Sequence, residues 1–297
     1  MNCIIANKYE IIEEVGQGTF GKVFRGKHIR TKEDVAIKIQ FKSIINVLQH
    51  EAKLYKHLEN TIGIPSMRNY GHQEGFHYLI LDYLDKPLDK LEMTPSESLT
   101  YFIEAVKVLE TIHKLGVLHR DIKPDNLMIN ERKQVYVIDF GLSKWFLDSS
   151  GNHMKEKTNK SMVGTIKYSS INVHNGIEPS RRDDLESLCY TFMSLYGKEL
   201  MWANVCEELK PIDETDETDE TDETDEQKKK KLVCEKIKAL KLDDALFSDL
   251  PDEFLTIVFY VRNLSFEETP NYKYIINVLH NVVNTGSDSL EITRNEF

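Results

Sequence analysis

Cysteine is scarce: four occur in 297 residues, Cys3, Cys189, Cys206 and Cys234, and no two form a C-x-x-C pair. That spacing argues against a disulfide framework or a zinc site and fits a reducing compartment. Long apolar runs are missing too, since none approaches the roughly 20 residues that span a bilayer. The opening Met1–Lys8 has no basic stretch and only four apolar residues in a row, so no signal peptide is expected. Asn2 in place of glycine, and a final Arg294–Phe297 without cysteine, remove the commonest lipid anchors. The expectation is a monomeric cytoplasmic or nuclear protein with no membrane anchor. An excess of positive charge is the third absence. The net charge is −11, but residues 207–226 hold twelve acids against one base, Lys210. Outside that insert acids and bases are equal, so direct nucleic-acid binding is not expected.

With 40% apolar and 29% charged residues, the chain has the composition of a soluble globular protein of about two structural units. Its first third reads as short strands, Tyr9–Val15, Lys22–Gly26, Val35–Ile39 and Tyr78–Leu81, with one helix between the last two. In that helix Ile44, Leu48, Tyr55 and Leu58 trace an apolar face that also carries Glu51. After Pro87 the texture becomes helical. Leu99, Phe102, Ile103, Val106, Leu109 and Ile112 repeat at helical spacing, and Gly116 stands where a C-terminal cap belongs. Two short strands, Leu127–Ile129 and Val135–Ile138, precede further helices to about residue 283. This is an α+β pattern in two lobes, 9–81 and 87–283, joined by a hinge at 82–86. Residues 1–8 and 284–297 read as a short extension and a short tail.

Four motifs carry the chemistry. Gly16-Gln17-Gly18-Thr19-Phe20-Gly21-Lys22-Val23 matches G-x-G-x-x-G-x-V, in which glycines let backbone N–H groups approach phosphates. Here it joins two strands instead of opening a helix, which disfavours a dinucleotide fold. Lys38, in Val35-Ala-Ile-Lys38, places an ammonium in an apolar strand and needs an anionic partner, which Glu51 can supply. His119-Arg120-Asp121-Ile-Lys123-Pro-Asp125-Asn126 sits between a helix and a strand. Asp139-Phe140-Gly141 follows eighteen residues after Asp121. In such an arrangement Asp121 orients a hydroxyl, Lys123 and Lys38 neutralise phosphate charge, and Asn126 with Asp139 holds Mg²⁺.

Taken in order, these motifs resemble a eukaryotic-type protein kinase over about residues 9–283. Lys123 is in the Ser/Thr form of the catalytic loop. Ala-Pro-Glu is absent; Ser170-Ile-Asn172 and Ser180-Arg-Arg-Asp-Asp-Leu-Glu-Ser187 stand in its place, with Gly63-Ile-Pro65 and Asn271-Tyr272 in agreement. These strings resemble the casein kinase I family. The resemblance implies a bilobal fold with a small antiparallel sheet and one helix in the first lobe. It also implies ATP and Mg²⁺ as cofactors, with the nucleotide held by Val15–Val23, Lys38 and a hinge including Asp82 and Leu84, and Leu81 at the back. Asp184 would brace the catalytic loop through its backbone. Protein substrates with acidic or phosphorylated residues upstream of the acceptor are implied, met by a cationic pocket of Arg120, Lys144, Lys160 and Lys167.

Two departures stand out. The four Asp-Glu-Thr repeats of 213–226 replace a short basic stretch and read as a solvated loop. Their threonines, Thr215 to Thr224, recur every three residues, the upstream spacing the family favours, so stepwise autophosphorylation is one expectation. No long inhibitory tail follows residue 283, so a constitutively competent enzyme is expected. The alternatives are a catalytically weak scaffold of the same fold, or an acidic interaction module acting through the repeats.

Overall fold

Residues 34–41 alternate strictly enough to dictate their own placement. Val35, Ile37 and Ile39 point to one face and are almost fully buried, while Ala36 and Lys38 point to the other. In the computed structural model, which describes residues 3–18, 21–41, 46–207, 223–247 and 250–292, this segment is the middle of a six-stranded antiparallel sheet. The strands are β1 (Ile4–Ile5), β2 (Tyr9–Gly18), β3 (Gly21–His28), β4 (Asp34–Phe41), β5 (Met67–Gln73) and β6 (Phe76–Asp82), in the order β1-β2-β3-β4-β6-β5. One face buries Ile5, Tyr9, Val35, Ile37, Ile39, Tyr78 and Ile80 as a small core. Against the opposite side lies α1 (Val47–His57), started by Asn46, whose side-chain oxygen accepts from the Gln49 N–H at 2.9 Å.

Two strands of this sheet were not expected from the sequence. Ile4–Ile5 pairs with β2 and sinks Ile5 into the core, so residues 4–5 belong to the sheet instead of a free extension. Met67–Gln73 contains no β-branched residue, and its pairing with β6 supplies what its composition does not.

Past the hinge, β7 (Lys86–Pro87) leads to α2 (Pro95–Lys114). Thr94 and Glu97 form a reciprocal capping box at its start, Pro95 occupies the first turn, and Gly116 (φ 78°) follows its end. Next come β8 (Val117–Leu118), β9 (Leu127–Ile129), β10 (Val135–Val137) and β11 (Lys144–Trp145). The helices α3 (Ile171–His174), α4 (Arg181–Leu195), α5 (Ala203–Glu207), α6 (Glu223–Lys241), α7 (Asp252–Arg262) and α8 (Tyr272–Ile292) complete the second lobe. Helix α2 lies at its centre against α4 and α8, with Phe102 stacked on Phe192 at 4.5 Å.

Expected boundaries shift in two places. Helix α8 runs past residue 283, to Ile292. The insert 207–226 lies outside the described residues from 208 to 222, and its last four residues, Glu223–Glu226, are the first turn of α6 instead of a loop. Ile44 and three of the four repeat threonines, Thr215, Thr218 and Thr221, also fall outside the described residues. Among the described residues, no helix is long and apolar enough to cross a membrane.

Candidate active site

Between the lobes runs a cleft of about 660 Å³. Strands β2 to β4 supply Val15, Gly16, Gln17, Val23, Ala36 and Lys38; the hinge supplies Asp82, Tyr83, Leu84 and Asp85, with Leu81 behind. Asp121, Lys123, Asn126, Met128, Ile138, Asp139 and Leu142 line it from the second lobe. Residues as far apart in sequence as Val15 and Leu142 thus open on one hollow.

Lys38 is the link between the lobes. Its ammonium lies 2.8 Å from Glu51 Oε2 on α1 and 2.8 Å from Asp139 Oδ1 after β10. Burial by itself would lower the Lys38 pKa, yet Glu51 and Asp139 hold it above the ordinary lysine range. Burial pushes the Glu51 carboxyl up, against the pull of Lys38. Burial acts on Asp139 the same way, but there Lys38 prevails and the carboxyl stays below the usual range. Asp139 is therefore an anion whose side chain is 43% exposed toward the cleft. Its backbone is left-handed (φ 64°) and its N–H donates to the Tyr55 hydroxyl at 3.2 Å. The next residue, Phe140, is buried edge-on against Tyr55 and His119, both at 5.1 Å. This packing aims the Asp139 carboxylate outward.

Asp121 is held from all sides. Its Oδ1 accepts from the Thr165 N–H and hydroxyl, each at 2.8 Å, and its Oδ2 lies 3.1 Å from Lys123 Nζ. Lys123 also reaches the Thr165 hydroxyl at 3.1 Å. The Asn126 amide donates to the Asp121 carbonyl at 2.8 Å, which leaves its Oδ1 as the atom to face a cation. Beneath this loop, Asp184 accepts from the His119 and Arg120 N–H groups at 2.7 Å each and lies 3.0 Å from His113 Nε2. The capping duty at the start of α4 falls to Asp183, which accepts from the Ser180 N–H and leaves Asp184 to the loop and His113.

The glycine-rich motif divides. Val15, Gly16, Gln17 and Val23 line the cleft, whereas Thr19 and Phe20 lie outside the described residues. Gly18 pairs with Gly21 at the end of the hairpin, and Lys22 pairs with Glu14 at 2.9 Å on the exposed side of the sheet. Neither Gly21 nor Lys22 is part of the lining.

The four expected cations do not form one open pocket. Arg120, Lys144 and Lys160 converge on Glu178, while the Lys167 ammonium lies 5.4 Å from the ring centroid of Tyr168. Thr165, Tyr55, His113 and Glu178 are the residues that sequence reasoning missed. Each acts through a contact between distant segments, and only Tyr55 had been named, as one member of an apolar helix face.

This geometry agrees with an independent comparison. The model of the protein kinase domain family matches residues 9–263. The chain belongs to the protein kinase family. Its activity is therefore phosphoryl transfer from ATP to protein, and its bilobal fold, with an antiparallel first lobe and a helical second lobe, is that of a kinase domain. The oxygen donors present, the exposed Asp139 carboxylate and the free Asn126 carbonyl oxygen, suit a hard cation such as Mg²⁺, which takes few protein ligands beside substrate phosphates.

Proposed function

We propose that this kinase is of the casein kinase I type and transfers the ATP γ-phosphoryl group to Ser or Thr in acidic or already phosphorylated protein segments. The observation that carries the reading is the joint hold of Asp121, Lys123 and Thr165 on one another within 3.1 Å, at the mouth of a cleft that Lys38 and Asp139 also line. Asp121 accepts a hydrogen bond from the acceptor hydroxyl and orients its oxygen toward the phosphorus. Lys123, beside it, neutralises charge on the transferred group, and Lys38 neutralises the phosphates deeper in the cleft. Adenine packs between Val23 and Ala36 on one side and Met128 and Leu142 on the other, against the hinge at Asp82–Leu84 and with Leu81 behind it. Asn126 and Asp139 would hold Mg²⁺, which would offset the negative charge of the phosphate oxygens. For the substrate preference, Lys167 offers a cation with no carboxylate within 4 Å among the described residues.

The test is a comparison of acidic, pre-phosphorylated and basic peptides, each with Ser, Thr or Tyr as acceptor. Acidic and primed Ser/Thr peptides should exceed the basic ones at least about tenfold in kcat/KM, a difference of ~1.4 kcal/mol in transition-state binding, and Lys167→Ala should narrow that gap. Preference for basic peptides, or transfer to Tyr, contradicts the reading. Asp139→Ala should abolish metal-dependent turnover with little change in the thermal midpoint, because Lys38 keeps Glu51. Turnover unchanged in that variant removes Asp139 from the metal site.

A further inference from the structure

Glu178, in the turn before α4, is 3% exposed and receives three cations. Lys144 Nζ lies 2.9 Å from its Oε1, Arg120 Nη1 3.6 Å from the same atom, and Lys160 Nζ 3.7 Å from Oε2. Each cation comes from a different segment. Arg120 precedes Asp121, Lys144 begins β11 shortly after Asp139, and Lys160 precedes the Gly164-Thr165 pair that grips Asp121. Main-chain bonds set the segments side by side: the Glu178 N–H donates to Lys157 O and the Lys160 N–H to Gly176 O, both at 2.8 Å.

Three cations gathered in one place repel each other, and Arg120 is largely withdrawn from water, so the arrangement needs an anion. Asp184 supplies one beneath Arg120, and Glu178 supplies the other. Burial alone would raise the Glu178 carboxyl, but Lys144, Arg120 and Lys160 hold it below the ordinary range, so it is charged at neutral pH.

We propose that Glu178 is a positioning residue, a built-in anion that ties the catalytic loop, β11 and the segment before Gly164 together and so holds Asp121 in place without a phosphate on residues 146–163. The path to Asp121 is short. Arg120 has a left-handed backbone (φ 66°), its Nε donates to Leu142 O at 2.7 Å, and its carbonyl lies directly under Gly164. At Gly164 (φ 84°) a Cβ would come within 2.4 Å of that carbonyl oxygen. Swinging the Arg120 guanidinium away would therefore disturb the contact that presents Thr165 to Asp121.

This inference rests on the kinase reading of the site, and the experiment separates the two. Wild type, Glu178→Gln and Glu178→Asp are treated with a phosphatase, checked by mass spectrometry, and assayed with ATP and an acidic protein substrate. Thermal midpoints and inorganic phosphate binding by calorimetry are measured on the same samples. Wild type should stay active after the phosphatase. Glu178→Gln should lose about tenfold or more in kcat, ~1.4 kcal/mol of barrier per factor of ten, with the ATP KM within about twofold. Sulfate or phosphate should restore part of that loss, and chloride at equal ionic strength should not. The same variant should gain one phosphate site that wild type lacks, and Glu178→Asp should keep most of the activity. The proposal is overturned if wild type is inactivated by the phosphatase, or if Glu178→Gln matches wild type. A loss that tracks the thermal midpoint and is untouched by sulfate overturns it as well. Should no variant and no wild type turn over, the kinase reading fails, and calorimetry still decides on Glu178: a new phosphate site in Glu178→Gln supports the built-in anion, and its absence refutes it.

Discussion

Asp184 gathers two backbone N–H groups and a buried imidazole around one carboxylate, and His113 is in turn 2.6 Å from the Tyr272 hydroxyl on α8. Burial alone would push its pKa up, and the His113 bond with the nearby His119 holds it below the ordinary range. The group is therefore a fully charged acceptor that fixes the loop bearing Asp121. Asp184→Asn keeps the shape, removes the charge and turns an N–H₂ toward one of the donors. Because hydrogen bonds to charged groups contribute about 1.5–3 kcal/mol each, and a donor left unpaired costs more, we expect a stability loss of about 2–4 kcal/mol. kcat should fall further than the ATP affinity. Urea unfolding and steady-state kinetics check both, and an unchanged midpoint would show that the carboxylate is dispensable. At this scale Lys38, Asp121, Asn126 and Asp139 were legible in advance because each sits in a short string with its own chemistry, and Glu51 because an acid on an apolar helix face needs a partner. Glu178 and Tyr55 were not, since a glutamate in a turn and a tyrosine on a helix face gain their roles only from what the fold places opposite them.

The β2–β3 hairpin shows how one motif uses glycine for two reasons. At Gly21 (φ 151°) a Cβ would sit 2.0 Å from the Ile39 carbonyl oxygen on β4, so the residue is required by the sheet itself. At Gly16 nothing lies within 4 Å of such an atom, and the residue lines the cleft. Gly21→Ala should therefore destabilise the protein by about 1–3 kcal/mol through displacement of the hairpin. Gly16→Ala should leave the thermal midpoint nearly unchanged and weaken ATP binding by intruding on the space a nucleotide needs. Thermal unfolding beside nucleotide titration distinguishes them, and equal loss of stability in both variants would contradict the division. From sequence both glycines read alike, as neighbours of phosphate, because a G-x-G-x-x-G string does not say which of its members meets a neighbouring strand. Elements were legible where apolar periodicity was strong, as in β4 and α2, and illegible where pairing alone creates the strand, as in β5.

For the whole molecule, the charge distribution is decisive in the interior as well as on the surface. The segment carrying Thr165 to His174 rests on α6 through Lys241, which is fully buried, donates to Ser169 O at 2.6 Å and lies over the rings of Tyr190 (4.6 Å) and Trp202 (5.0 Å). His174 Nε2 is 3.1 Å from the same ammonium. Burial, reinforced by Lys241 and Lys238, pushes the His174 pKa down to about 3 from the ordinary 6.5. Between those values the unfolded chain binds a proton that the folded chain refuses. The stability held above pH 6.5 is therefore lost as pH falls through that window, by at most about 1.4 kcal/mol per pH unit for one proton. His174→Gln can still accept a hydrogen bond from Lys241 and has nothing to protonate. Unfolding free energies measured from pH 7 to pH 4 should thus fall less steeply for the variant than for wild type, with the two curves diverging below pH 6.5. All other carboxylates and histidines are common to both proteins and cancel in the difference, so parallel curves would mean that His174 accepts its proton in the folded state, with Lys241 giving way.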